Sequence, residues 1–159
     1  MVGVSTRRAD VGGFTDSDWG GDRDDRKSIS AYIFHMRNGA VSWKTKKQPS
    51  VALSSVEAEY MAMCQAAKEA VWLTGPPEDL VLDLRSPLIV FGDNHGALAL
   101  PQNPVFYPRS KHITIQYHVT RELVQRGQLI VKYIPTKAMV ADALSKSRPC
   151  HQHVALTEI

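Results

Sequence analysis

Four acidic residues, each in a different predicted element, could together carry chemistry: Asp16, Glu59, Asp93 and Asp142. Asp16 lies in an alternating strand pattern, where a central position favours an apolar residue. Glu59 falls on a helical stripe of small apolar residues, where an acid is unusual unless it has a partner. Asp93 ends a buried strand at a strand-to-helix turn, where open α/β sheets place their sites. Asp142 lies beside two alanines in a predicted final helix.

Three or four carboxylates gathered at one point are what two-metal hydrolysis of a phosphodiester requires. In that chemistry one ion activates water and the other, about 3.5–4 Å away, stabilises the leaving oxygen. Magnesium prefers oxygen ligands, so Asp and Glu are the expected residue types. We therefore predict that the four acids are the catalytic and metal-binding residues of a nuclease with two Mg²⁺ ions, for which Mn²⁺ can substitute.

Each acid also has a structural interpretation that the sequence leaves open. Asp16 could belong to a turn, and Glu59 could form a surface ion pair with a lysine or arginine. Asp93 could cap the helix that follows it, and Asp142 could be an exposed helix residue. Each indication is weak alone, and the prediction depends on the four residues meeting in space.

The residue patterns predict five strands and four helices in the order β-β-β-α-β-α-α-β-α. Alternation from Phe14 predicts a first strand that ends near Trp19. Asn38-Gly39 predicts a tight hairpin turn, and Ser54 with Glu57 fits a capping box at a helix start. The other predicted elements are strands at Ser28–Met36, Ala40–Thr45, Pro87–Phe91 and Leu129–Ile134, and helices at Ser54–Leu73, His95–Leu100, Ser110–Arg126 and Lys137–Lys146, the last capped by Thr136. A hairpin group followed by alternating elements indicates a mixed sheet with helices on its faces.

The composition is that of one soluble domain. The chain has 159 residues, 43% hydrophobic and 22% charged, with a net charge of +3 that permits an anionic partner. Cys64 and Cys150 form no CxxC pair, which argues against a zinc or redox site. No apolar run is long enough to cross a membrane, and the N-terminus does not read as a secretory signal. We predict an N-terminal stub at 1–12, a domain at 13–146 and a disordered tail at 147–159.

Longer motifs carry a family resemblance. In order they are Phe14–Asp22, Asp24–Ser28, Ala40–Lys44, Gln48–Pro49, Ala52–Ser55, Glu57–Ala62, Asp93–Asn94, Arg109–Ile113, Tyr117–His118, Tyr133–Thr136 and Met139–Asp142. Together they resemble the ribonuclease H domain of copia-type LTR retrotransposon (reverse transcriptase) polyproteins, over residues 13–146.

The resemblance implies an α/β, ribonuclease H-like fold: a five-stranded mixed sheet in the order 3-2-1-4-5 with helices on both faces. In that fold Asp16 and Asp93 lie on neighbouring strands, and the helix of Glu59 packs across them. The family's acidic set falls on the same four residues, Asp142 included. The implied activity is endonucleolytic hydrolysis of the RNA strand of RNA–DNA hybrids, as part of a reverse transcriptase. Cellular ribonucleases H carry a histidine before the last aspartate, and residues 135–141 contain none.

Cationic residues in two places are candidates for binding the hybrid through its phosphates. Lys44, Lys46 and Lys47 follow the hairpin, and Arg109, Lys111 and His112 stand at a helix start, where backbone amides favour phosphate. The structural alternative is that the lysines keep an edge strand soluble.

Two other functions remain open at this point. The chain could be a catalytically decayed, nucleic-acid-binding remnant of the same fold, or a relative such as an integrase core or an exonuclease. As a nuclease we expect a monomer, fused in nature to a reverse transcriptase polyprotein, with no membrane partner and no small-molecule substrate. The resemblance implies a cytoplasmic location in virus-like particles, with a nuclear location as the alternative, and no secretion.

Overall fold

The computed structural model describes residues 11–36, 39–74, 87–102 and 111–147, with the backbone alone described for 111–116. The strands are β1 (Val11–Asp18), β2 (Ile29–Met36), β3 (Gly39–Lys47), β4 (Leu88–Gly92) and β5 (Leu129–Tyr133). The helices are α1 (Ser55–Thr74), α2 (His95–Ala99), α3 (Lys111–Gln125) and α4 (Asp142–Ser145). The predicted element order is confirmed.

The strands form one mixed sheet in the order β3-β2-β1-β4-β5, as predicted. β1 pairs antiparallel with β2 and β2 with β3, whereas β4 runs parallel to both β1 and β5. Phe14 of β1 is level with Phe91 of β4. The carboxyl ends of β1 and β4 therefore lie side by side at one edge of the sheet. Asp16 lies near the end of β1, and Asp93 directly follows β4.

Helices cover both faces of the sheet, again as predicted. α1 packs its alanines Ala66, Ala67 and Ala70 into a cluster with Phe34 and Val90 of the sheet. Side chains alternate along a strand, so the residues of β1 that face α1 are the odd-numbered ones. The side chain of Asp16 points to the other face, where α4 and the residue after it contact it.

The start of α1 departs in one detail from the predicted capping box. The Ser54 Oγ accepts a hydrogen bond from the Glu57 amide at 3.1 Å, as a capping serine does. The Glu57 carboxylate accepts from the Leu53 amide at 2.7 Å, one residue before the expected donor at Ser54. Glu57 is therefore committed to the helix start, as predicted.

The final helix is present but much shorter than the predicted Lys137–Lys146, so those bounds are wrong. The structure has a 3-10 turn at Thr136–Ala138, an extended Met139 (φ −78°, ψ 96°) and then α4. Residues 139–141 are all buried. The extended backbone of Met139 interrupts the predicted helix, and the Met139 side chain is fully buried. Thr136 does not cap a helix with its side chain.

Some sequence predictions fall outside the described residues. These are the hairpin turn at Asn38, residues 1–10 of the predicted stub and the tail from residue 148 onward. Within the described ranges, no helix combines the length and apolar character needed to span a membrane.

Gly13 provides a test of the packing between β1 and β2. A β-carbon added there would overlap the ring of Phe34, which is fully buried, so Gly13→Ala forces the core to shift. We expect a loss of ~1–3 kcal/mol in the free energy of unfolding, measured by urea titration. Gly12→Ala is the matched control, because its β-carbon would lie 3.7 Å from Phe91, an ordinary contact. Equal stability of the two variants would contradict this packing.

Candidate active site

Three of the four predicted acids come together at the edge where β1 and β4 end. One carboxylate oxygen each from Asp16, Glu59 and Asp93 can be chosen so that all three lie within 4.8 Å of one another. Asp16 comes from the central strand, Glu59 from the first turns of α1 and Asp93 from the residue after β4. Residues separated by 77 positions in the chain thus form a single acidic cluster.

Backbone and hydroxyl donors fix the orientation of two of these carboxylates. The Ser17 amide donates to Glu59 Oε1 at 3.1 Å, and Thr136 Oγ1 donates to Asp93 Oδ2 at 2.7 Å. Glu59 is 8% exposed, so it does not lie on the surface as the ion-pair alternative requires. The cap of α2 is Asn94, whose side chain accepts from the Ala97 amide, so Asp93 does not serve as that cap.

Asp142 lies beside the cluster and is connected to it through Lys146. It is the first residue of α4 and is fully buried, which contradicts the exposed-helix alternative. The Lys146 ammonium lies 2.7 Å from Asp142 Oδ1 and 3.1 Å from Asp16 Oδ1. The Ser145 hydroxyl donates to the other oxygen of Asp16. Asp16 is thus an interior strand residue held by α4, and the turn alternative is wrong.

Burial and neighbouring charges raise the pKa values of two of the clustered acids, Glu59 and Asp16. Burial, followed by the charges of Asp16 and Asp93, raises the pKa of Glu59 to about 8, against a smaller lowering by the Ser17 donor. Burial also raises the pKa of Asp16, although Lys146 and Ser145 oppose it. Burial lowers the pKa of Lys146, but its bonds to Asp142 and Asp16 outweigh that effect and the pKa is raised. For Glu59 and Asp16, the hydrogen-bond and ion-pair partners therefore do not offset the effect of burial and of neighbouring negative charge on the pKa.

The donor set fits a hard divalent cation. All three clustered groups are carboxylates, the ligand type that Mg²⁺ and Mn²⁺ take, and no histidine or cysteine belongs to the group. Their mutual repulsion is relieved when a cation binds, which favours binding. Asp16, Glu59 and Asp93 could hold such an ion, with Asp142 adjoining.

Sequence reasoning missed the residues that orient the acids. Ser145 and Lys146 were counted only as the end of a helix, and Thr136 was assigned to a cap. The spacing of Asp142 and Lys146, four residues apart, is the ion-pair spacing of a helix and was the one available indication. Nothing in the spacing of Thr136 or Ser17 pointed to the acids they contact.

The candidate hybrid-binding residues are only partly described. Lys44, Lys46 and Lys47 are exposed on β3, which is an edge strand. Lys47 forms ion pairs with Asp22 and Asp25, and these reduce the charge it offers to a phosphate. Arg109 lies outside the described residues, as do the side chains of Lys111 and His112 at the start of α3. Phosphate binding by all six residues remains a prediction.

Similarity to known sequences is strong over most of the chain. The retrovirus-related Pol polyprotein from transposon RE1 of Arabidopsis thaliana is 40% identical over 144 residues, covering 89% of this chain. The corresponding polyprotein from transposon TNT 1-94 of Nicotiana tabacum is 41% identical over 137 residues, covering 86%. The chain spans about a tenth of the length of each of these relatives. No family model matches the chain.

Similarity to solved structures concerns the fold. The ribonuclease H1 of the archaeon Halobacterium salinarum superposes with a TM-score of 0.60 at 15% sequence identity. The match covers 85% of this chain and 93% of that protein. This chain thus shares its fold with ribonuclease H domains. Its own sheet order, helices on both faces and acidic edge are those described above.

Proposed function

The chain belongs to the ribonuclease H-like part of copia-type retrotransposon Pol polyproteins, and on that premise we propose that it hydrolyses the RNA strand of RNA–DNA hybrids. The observation that carries this proposal is the convergence of Asp16, Glu59 and Asp93 within 4.8 Å on rigid elements of the sheet and α1. Metal-dependent phosphodiester hydrolysis needs a concentrated negative site that can hold cations against a phosphate, and this cluster has the carboxylates for such a site.

Asp16, Glu59 and Asp93 would hold divalent ions, with Asp142 completing the set. Two such ions, when bound, supply an activated water and stabilise the charge that develops on the leaving oxygen. Magnesium is the expected ion and manganese the expected substitute, because the donors are all carboxylate oxygens.

The protein's own contribution is orientation. Ser17 and Thr136 direct the carboxylates of Glu59 and Asp93 before any ligand arrives. Asp16 is fully buried on the central strand, where it pairs with Ala31 of β2, and β4 pairs with β1 just before it, up to Phe14. Groups held in the productive arrangement need not reorganise during the reaction, which is the main source of rate in such sites.

Recognition of the substrate would depend on shape and charge. Hybrid duplexes are gripped through phosphates and distinguished by 2′-hydroxyls and groove geometry, with no sequence readout. Lys44 and Lys46 on β3, with Arg109, Lys111 and His112 near α3, are the residues we propose for this contact. Because the relatives are polyproteins about ten times longer, we further propose that the natural partner is the reverse transcriptase region of the same polypeptide.

A strand-specific assay tests the function. The purified chain is incubated with a hybrid labelled on either strand, with Mg²⁺ or Mn²⁺, and with EDTA as the metal-removal control. We expect fragments from the RNA strand alone, none with EDTA, and none from single-stranded RNA or duplex DNA. Hybrid binding without cleavage in either metal would instead support the catalytically decayed binding module. Cleavage of duplex DNA would indicate a different nuclease of the same fold.

A further inference from the structure

Lys146 has a position in the site that the proposed reaction does not explain. Its ammonium joins two fully buried aspartates, at 3.1 Å from Asp16 and 2.7 Å from Asp142. Asp16 is also a member of the cluster with Glu59 and Asp93. A positive side chain is therefore bound to the same carboxylate that a divalent ion would need.

Both oxygens of Asp16 are already engaged in this arrangement. Oδ1 accepts from Lys146 and Oδ2 accepts from the Ser145 hydroxyl. A divalent ion that binds Asp16 must share an oxygen with one of these donors or displace it. Sharing with Lys146 places an ammonium and a doubly charged ion on one carboxylate, and their repulsion inside a buried site is strong.

The position of Lys146 allows it to withdraw. It follows the last residue of the four-residue helix α4, and its side chain is 32% exposed although both of its partners are buried. A lysine side chain is a flexible four-carbon stem with a strongly hydrated head, so it can move its charge toward solvent. Asp16 and Asp142 have no such freedom.

We propose that Lys146 is an internal counter-ion that holds Asp16 and Asp142 together in the metal-free protein and is displaced from Asp16 by the divalent ion. Lys146 is then a positioning residue that sets the affinity for metal. It keeps the acidic pocket assembled when the ion is absent, and it opposes occupation at low metal concentration. The inference rests on the proposed function for its metal, but it concerns ion binding alone and needs no substrate.

The test measures Mn²⁺ affinity by titration calorimetry without nucleic acid, on wild type, Lys146→Met, Lys146→Arg and Lys27→Met. We expect Lys146→Met to bind Mn²⁺ about tenfold more tightly, because a unit charge close to the ion is removed. Lys146→Arg keeps the charge and should stay near wild type. Lys27→Met is the matched control, since Lys27 is also 32% exposed and paired with an aspartate, and its affinity should not change. Unchanged or weaker binding by Lys146→Met would overturn the proposal.

A second measurement uses wild type, in case Lys146→Met does not fold. The ¹⁵Nζ resonance of Lys146 should shift when Mg²⁺ saturates the protein, as its ion pair with Asp16 is lost. A resonance unchanged at saturation would show that Lys146 stays in place and would contradict displacement. These results are separable from the nuclease assay: hybrid cleavage with an immobile Lys146 refutes only this inference, and displacement without cleavage refutes only the proposed function.

Discussion

Asp16→Asn should lower RNA-strand cleavage by about a thousandfold or more while the protein stays folded. The substitution keeps the shape and removes the charge of a fully buried carboxylate of the cluster. Metal-borne charge stabilisation is worth several kcal/mol in such reactions, and each 1.4 kcal/mol is about tenfold in rate. The measurement is initial cleavage rate on the labelled hybrid at saturating Mg²⁺, with circular dichroism to verify folding.

The control for this variant is Asp24→Asn. Asp24 is an exposed acid in the turn between β1 and β2 and does not belong to the cluster, so the same chemical change is made outside it. Its cleavage rate should equal that of wild type. Asp93→Asn should behave as Asp16→Asn does, since both carboxylates belong to the same group. Full activity of Asp16→Asn would mean that the cleavage comes from another site or from a contaminating nuclease.

Glu59→Gln should stabilise the metal-free protein at alkaline pH while it impairs cleavage. The pKa of Glu59 rises from 4.5 to about 8 on folding, first because of burial and then because of Asp16 and Asp93. The folded state therefore holds a proton that the unfolded state releases between these two values. Stability from this group is complete below pH 4.5 and is lost as pH rises through about 8. Glutamine has no such loss, because it carries no charge at any pH.

The expected difference between variant and wild type grows with pH. In EDTA, the two free energies of unfolding should be similar near pH 5, and Glu59→Gln should be more stable by ~2–4 kcal/mol near pH 9. Urea titrations at intervals from pH 5 to pH 9 measure this directly. Glu122→Gln, an exposed glutamate on α3, is the control and should change stability by less than about 1 kcal/mol throughout. A difference that stays constant with pH would show that Glu59 is not crowded by its neighbours.

Cation binding should reverse this penalty. With saturating Mg²⁺ the repulsion among Asp16, Glu59 and Asp93 is neutralised, so wild type should gain more stability than Glu59→Gln. Functional sites commonly lower the stability of the ligand-free protein, and binding of the ligand restores it. The same pair of variants therefore reports on the electrostatics of the site and on its ligand.

The order of elements and the strand order could be predicted from the sequence. Local patterns determine strands and helices: alternation in β1 and the capping serine before α1 depend on residues within a few positions of each other. The order 3-2-1-4-5 came from the family resemblance, which summarises long-range pairing that no local pattern contains. Asp16 and Glu59 could be selected because an acid in an apolar setting is costly without a partner, and Asp93 because it ends a buried strand at a strand-to-helix turn.

Only the tertiary structure determined the contacts between distant parts of the chain. Lys146 and Ser145 reach Asp16 across about 130 positions, and Thr136 reaches Asp93 across 43. The break of the last predicted helix at Met139 is equally absent from the local pattern: the backbone is extended there and the Met139 side chain is fully buried. Local propensity is worth a few tenths of a kcal/mol per residue, whereas burying a large apolar side chain is worth about 1.5–3 kcal/mol. Burial therefore prevailed there, and its outcome depends on neighbours that only the folded chain provides.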